Sequence, residues 1–122
     1  MTAEEIVKQA EVAYDALDLD RIIQLFDPQI TVYWNGEKIS EGLEELREWH
    51  ERWIKRAMAG DHWVRKTLRA TSGDTIAVEW EDYALGDDGK YYRGYGGEFW
   101  KMREGRLLEW RAYYHKDPIN ET

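Results

Sequence analysis

The stretch KYYRGYGGEFWKM, residues 90–102, decides how the rest of the chain is read. Strand alternation puts Tyr92, Gly94, Gly96, Glu98, Trp100 and Met102 on one face, and Tyr91, Arg93, Tyr95, Phe99 and Lys101 on the other. The first face therefore carries two aromatics, two glycines and a carboxylate. The glycines either leave room beside Glu98 or permit a bulge that curves the strand. A carboxylate among large rings and empty space predicts a ligand pocket. The competing reading is a core strand whose lone Glu is paired.

The neighbouring stretches share the period of two. From Asp61 onward, His62, Val64, Lys66, Leu68 and Ala70 alternate with Trp63, Arg65, Thr67 and Arg69. After the turn Ser72-Gly73-Asp74, Ile76, Val78 and Trp80 alternate with Ala77, Glu79 and Glu81. Gly86-Asp87-Asp88-Gly89 and Glu104-Gly105 read as further hairpin loops. The last strand carries Leu108, Trp110, Ala112 and Tyr114 on one face and Glu109, Arg111, Tyr113 and His115 on the other.

Upstream the period is helical. Ile6, Ala10, Ala13, Tyr14 and Leu17 share one face of a helix over residues 3–17. Asp18 or Asp20 can cap a second, short helix burying Ile22, Ile23 and Phe26, which Asp27-Pro28 ends. Ile30 to Trp34 reads as a strand stopped by Asn35-Gly36, followed by a short extended piece. Ser40 opens a third helix with Leu43, Leu46, His50, Trp53, Ile54 and Ala57 on one stripe, and Gly60 closes it. Three helices followed by a meander of long strands predict an α+β fold, with the helices packed on a strongly bent antiparallel sheet. If the sheet curls around the third helix, the result is a cone-shaped α+β barrel with a polar-lined interior.

A chain of 122 residues is read as a single domain spanning 1–122. The formal charge of −8 argues against a nucleic-acid or anionic-membrane partner. No apolar run approaches the roughly 18 residues of a membrane span. The acidic, amphipathic N-terminus is not a signal peptide, and the absence of cysteine fits a reducing compartment, so a cytoplasmic location is expected. Seven Trp and eight Tyr against two Phe supply rings with polar handles, which suit a cavity or an interface.

The layout resembles the SnoaL-like, nuclear-transport-factor-2-like superfamily, which includes ketosteroid isomerases, limonene epoxide hydrolases and polyketide cyclases. The resemblance rests on LDLDRIIQLFDPQITV, on GLEELREWH at the third helix and on GRLLEWRAYY, and it covers nearly the whole chain. YYRGYGGEFWKM is also similar to a SnoaL-like branch with a W-W-R-S-Y-G-N-E-N-W pattern. Matching the isomerase pattern, its inward acid on the penultimate strand falls on Glu98. Its general-base aspartate falls on Trp34, and its oxyanion tyrosine falls near Ala10, with Tyr14 one turn later. The inward aspartate on the epoxide hydrolase's last strand falls on Ala112. Such motifs specify the fold better than the chemistry, because one fold hosts many activities.

The candidate catalytic residues are Glu98 and His50. Enclosure among rings makes Glu98 a candidate general acid or base; the structural alternative is an ion pair with Lys66 on a neighbouring inner face. On the inner stripe of the third helix, His50 is either a proton carrier or a core histidine bonded to a Tyr or a carbonyl. Tyr14, Trp34, Trp53, Lys66, Trp80, Tyr92, Trp100, Trp110 and Tyr114 are expected to line the cavity, either packing it or stacking on a flat ligand. No His-x-His or His-Glu spacing supports a metal site, and no cofactor is implied. The expected partner is a small apolar carbonyl compound undergoing isomerisation, dehydration or cyclisation. The alternative is a non-catalytic ligand-binding or association module. Trp63, Arg65, Tyr83, Arg93, Tyr95, Phe99, Arg111 and Tyr113 on the outer sheet face predict a homodimer formed through that face.

Overall fold

The computed structural model describes residues 1–119. Helix α1 spans Ala3–Asp15, begun by Thr2, whose hydroxyl accepts the Glu5 N–H. It buries Ile6, Val7, Ala10, Ala13 and Tyr14, the 3.6-residue stripe that holds it on the sheet. Asp18 caps α2 (Leu19–Gln24) by accepting from the Arg21 N–H. This helix is shorter than the sequence suggests. Phe26 opens strand β1 (Phe26–Trp34) instead of extending the helix, and Asp27 lies inside the strand. The Arg103 guanidinium grips the Asp27 carboxylate at 2.8 and 3.0 Å and holds its pKa below the usual carboxylate value. That pair, rather than a helix stop, accounts for Asp27.

Asn35 and Gly36 turn the chain with φ of 50° and 87° into β2 (Glu37–Glu41). Helix α3 covers Gly42–Ala57, and its N-cap is Glu41, not Ser40. The Glu41 side chain makes no cap bond; its N–H donates to Glu45 Oε2 at 2.7 Å, in the first turn of the helix. Ser40 is buried under the helix. The meander follows as β3 (Trp63–Ser72), β4 (Thr75–Leu85), β5 (Tyr91–Arg103) and β6 (Arg106–Pro118).

Among the described residues, six strands form one sheet in the order β2-β1-β6-β5-β4-β3. All pairings are antiparallel except β1 with β6. That parallel pair corrects the all-antiparallel expectation. It arises because the chain leaves β1 through α3 and the whole meander before returning alongside it, the long connection that parallel pairing requires. The sheet curls around the helices, and the α+β cone expected from the sequence is the observed fold. Its core includes Val7, Ile22, Ile30, Val32, Leu46 and Trp100. At the start of β6, Leu107 is buried in place of Leu108, because a bulge opposite Lys101 and Met102 shifts the register by one residue. No helix of the described residues is long and apolar enough to cross a membrane.

Two glycines of the opening stretch have separate uses. A Cβ at Gly94 would collide with the Asp82 carboxylate and crowd the Trp80 ring. A Cβ at Gly96 would collide with the backbone of Tyr113 and Tyr114 on the adjoining strand. The space they release is taken by β4 side chains and by the close approach of β6, not by a void beside Glu98.

Candidate functional site

A cavity of about 350 Å³ opens between α3 and the concave face of the sheet. Each element brings its part by the periodicity that formed it. Helix α3 contributes Trp49, His50, Trp53 and Arg56, four positions spaced to fall on one face. Alternation along β3 and β4 turns Val64, Lys66, Trp80 and Asp82 inward. Glu98 comes from β5, and Trp110, Tyr114 and Lys116 come from β6. Trp34 from β1 and Tyr14 from α1 complete most of the wall.

The rings brace one another. Trp34 meets Tyr114 at 4.8 Å, Trp49 at 5.3 Å and Trp110 at 5.5 Å between centroids. Tyr14 lies 5.7 Å from Trp53 with its ring edge-on. Such pairs fix ring orientation beyond simple area burial, so the wall is preformed.

At the base, Lys66 Nζ donates to both Glu98 oxygens at 3.0 Å, and Trp100 Nε1 donates to Glu98 Oε2 at 3.1 Å. The two side chains are 4% and 2% exposed, so the pair is fully withdrawn from water. The ammonium also faces the Tyr14 ring at 5.1 Å and the Trp100 and Trp110 rings at 5.7 and 5.9 Å, where cation–π attraction adds to the ion pair. Three donors on one carboxylate leave little free lone-pair capacity for a substrate proton.

His50 is closed in a different way. Its Nδ1 lies 2.8 Å from the Leu46 carbonyl, which can only accept, so Nδ1 carries the proton. Burial, opposed by that carbonyl and reinforced by the Lys66 charge, pushes the His50 pKa down to about 4. At neutral pH the ring is therefore uncharged, and Nε2 accepts from the Tyr14 hydroxyl at 2.7 Å. Burial, followed by the nearby Glu98 charge, holds the Tyr14 phenol well above its ordinary value. Tyr14 and His50 form a neutral pair, with no titration between them near pH 7.

Of the residues expected to line the cavity, Tyr14, Trp34, Trp53, Lys66, Trp80, Trp110 and Tyr114 do so, together with Glu98 and His50. Tyr92 does not. Its hydroxyl is drawn to Asp88, and it borders a second depression beyond the Arg56–Lys116 rim. Trp100 does not either: at 2% exposure it is core packing behind Glu98. Sequence reading misses Trp49 and Asp82. Both carried a signal, since Trp49 precedes Trp53 by one helical turn and Asp82 continues the inward parity of Val78 and Trp80.

Two donors lie buried behind this wall. The indole N–H groups of Trp80 and Trp110, on residues 5% and 4% exposed, have no acceptor among the described residues. An unmet buried donor costs about 1–3 kcal/mol.

A family model described as a SnoaL-like domain matches residues 7–110. The chain belongs to that family. Comparison with curated proteins gives no significant match. Among solved structures, this SnoaL-like domain is similar to a provisional polyketide cyclase from Pseudomonas putida KT2440 (20% identity, 94% of this chain and 92% of that one, TM-score 0.77). It is equally similar to a computationally designed 17-OHP binder (18% identity, 98% of each chain, TM-score 0.77). It is similar too to an M. tuberculosis LEH-like epoxide hydrolase (15% identity, 91% of this chain and 80% of that one, TM-score 0.69). At such identities the likeness carries the fold, and one fold here spans several activities.

Proposed function

We propose that this SnoaL-like domain binds a small, flat, largely apolar compound bearing a carbonyl group and acts on it by acid–base chemistry: isomerisation, dehydration or cyclisation. The cavity itself carries this reading: the rings of Trp34, Trp49, Trp53, Trp80 and Trp110 line about 350 Å³ together with the polar side chains of Arg56, Asp82 and Lys116. The rings supply flat apolar contact, and the Arg56 and Lys116 side chains supply donors for a carbonyl oxygen. Small ketones such as 2-tetralone fit a volume of about 350 Å³ and serve as probes. Quenching of tryptophan fluorescence is expected on titration with 2-tetralone. Trp34→Ala and Trp49→Ala should each weaken binding about tenfold, the equivalent of one ring contact near 1.4 kcal/mol. Unchanged affinity in both variants would remove the basis for a flat ligand held by the rings.

A second reading, a non-catalytic ligand-binding module, draws on a specific observation: Glu98 and His50 both spend their hydrogen-bonding capacity inside the protein. Under this reading the ligand binds unchanged and no turnover is seen.

We further propose that the chain works as a homodimer. Tyr95, Phe99 and Tyr113 on the outer sheet face are 42%, 49% and 45% exposed, with Phe99 and Tyr113 edge-to-face at 6.3 Å. Exposed rings beside Arg93 and Arg111 have the composition of a protein interface. Sedimentation at micromolar concentration is expected to give twice the chain mass of 14.6 kDa, and Phe99→Glu to return it to the single-chain value. A wild-type mass near 14.6 kDa would rule the dimer out.

A further inference from the structure

One pair of opposite charges in the cavity wall is left open. On the concave face of the sheet, Asp82 of β4, Gly94 of β5 and Lys116 of β6 stand side by side in register. Strands about 4.8 Å apart put the Asp82 and Lys116 backbones about 10 Å from each other. Gly94 between them has no side chain, and the Asp82 carboxylate leans into the space that a Cβ there would fill. Both charged groups border the ring-lined cavity and the second depression, Lys116 exposed and Asp82 half-buried. Neither makes an ion pair among the described residues, whereas the other charges of the main cavity are closed, Lys66 with Glu98 and Arg56 with Asp87. The next inward-facing row, Trp80, Gly96 and Tyr114, carries two rings 6.2 Å apart between centroids, and Trp34 meets Tyr114 beside them. A flat apolar body resting on these rings turns one edge toward Asp82 and Lys116.

We propose that the ligand presents to this gap a cis-amide edge, as in an aromatic lactam, whose N–H donates to Asp82 and whose carbonyl oxygen accepts from Lys116. The proposal rests on the flat-carbonyl reading above and deepens it by naming the group beside the carbonyl.

The chemistry on the two sides of Gly94 selects that edge. A carboxylate accepts and an ammonium donates, so the gap asks for a donor and an acceptor on neighbouring atoms. Burial raises the Asp82 pKa; Lys116, Lys66 and the Gly94 N–H oppose the rise, and Glu98 adds to it. The carboxylate thus bears a desolvation cost that a ligand N–H offsets. Charged ligand groups fit less well. An ammonium would meet Lys116 and Arg56, and a carboxylate would meet Asp82 and Asp88. An uncharged donor–acceptor edge meets neither repulsion.

The test is calorimetric titration with 2-quinolinone and with coumarin, two flat bicyclic compounds of one outline. Both carry the carbonyl; coumarin has a ring oxygen where 2-quinolinone has the N–H. The wild type is expected to bind 2-quinolinone at least about fivefold tighter, the worth of one net hydrogen bond, because coumarin turns an oxygen lone pair toward Asp82. Asp82→Ala should bring the ratio below about fivefold by weakening 2-quinolinone. Lys116→Met removes the donor to the shared carbonyl, so it should weaken both compounds by a similar factor and keep the ratio. A smaller wild-type ratio, a ratio retained in Asp82→Ala, or affinities unmoved in Lys116→Met overturns the lactam edge and leaves the flat-ligand site standing. Binding of neither compound overturns the carbonyl reading and this proposal together. Should Asp82→Ala not fold, Asp82→Asn decides. Its amide nitrogen can donate to the coumarin ring oxygen, so the preference for 2-quinolinone should fall, and an unchanged preference overturns the assignment of Asp82.

Discussion

Lys66→Met is expected to destabilise the fold by about 3–5 kcal/mol, measured by urea unfolding at pH 7. The substitution nearly conserves the volume of the stem, so the loss is not a cavity effect. It leaves the Glu98 carboxylate, 2% exposed, with only the Trp100 N–H for a partner. A buried charge without its counter-ion keeps its full desolvation penalty, which for an exposed pair would be absent and the cost under about 1 kcal/mol. The double variant Lys66→Met, Glu98→Leu removes both charges and should recover most of the loss, giving a large favourable coupling in the double-mutant cycle. A cost below about 1 kcal/mol for Lys66→Met alone would show that the pair is not what holds Glu98 in the apolar base of the cone.

The second large effect is a pH dependence carried by His50. Its pKa is about 4 in the folded protein against 6.5 in the unfolded chain. Above pH 6.5 the imidazole is neutral in both states and folding is favoured in full. As pH falls from 6.5 toward 4, only the unfolded chain takes up the proton, and stability drops by about 1.4 kcal/mol per pH unit. Across that window the loss approaches about 3 kcal/mol; below pH 4 both states are protonated and this contribution flattens. Carboxylates titrate nearby, so the comparison is with His50→Gln. The difference in stability between the two proteins should change by that amount between pH 7 and pH 4. Parallel pH profiles would mean that His50 takes a proton in the native state, contrary to the Leu46 and Tyr14 contacts that fix its tautomer.

The fold was legible in the sequence because both of its periods are strong. Ile6, Ala10, Ala13 and Tyr14 recur at helical spacing, and Val64, Lys66, Val78 and Trp80 recur at strand spacing; all of them are buried. The errors lie where local preference competes with pairing. Phe26 follows a short helix in sequence but is taken by β1, because its burial against the sheet outweighs one more helical turn. Leu107 and Leu108 are equally apolar, and only a bulge decides which of them enters the core.

The site divides in the same way. Parity placed Lys66 and Glu98 on facing inner surfaces, and their pairing follows from the cost of burying either alone. Helical spacing placed His50 inward. Spacing could not say that Trp100 packs solid while Trp80 and Trp110 bound open space, because all three share inward positions in alternating strands. Periodicity names a face. Whether that face meets another side chain, a backbone or a cavity depends on the curl of the sheet and the height of α3 above it, which are set by contacts between residues far apart in the chain. The stretch 90–102 is the plainest case. Its alternation was fixed by local chemistry, but its two inward glycines serve Asp82 and the β6 backbone, neighbours that only the paired strands bring there.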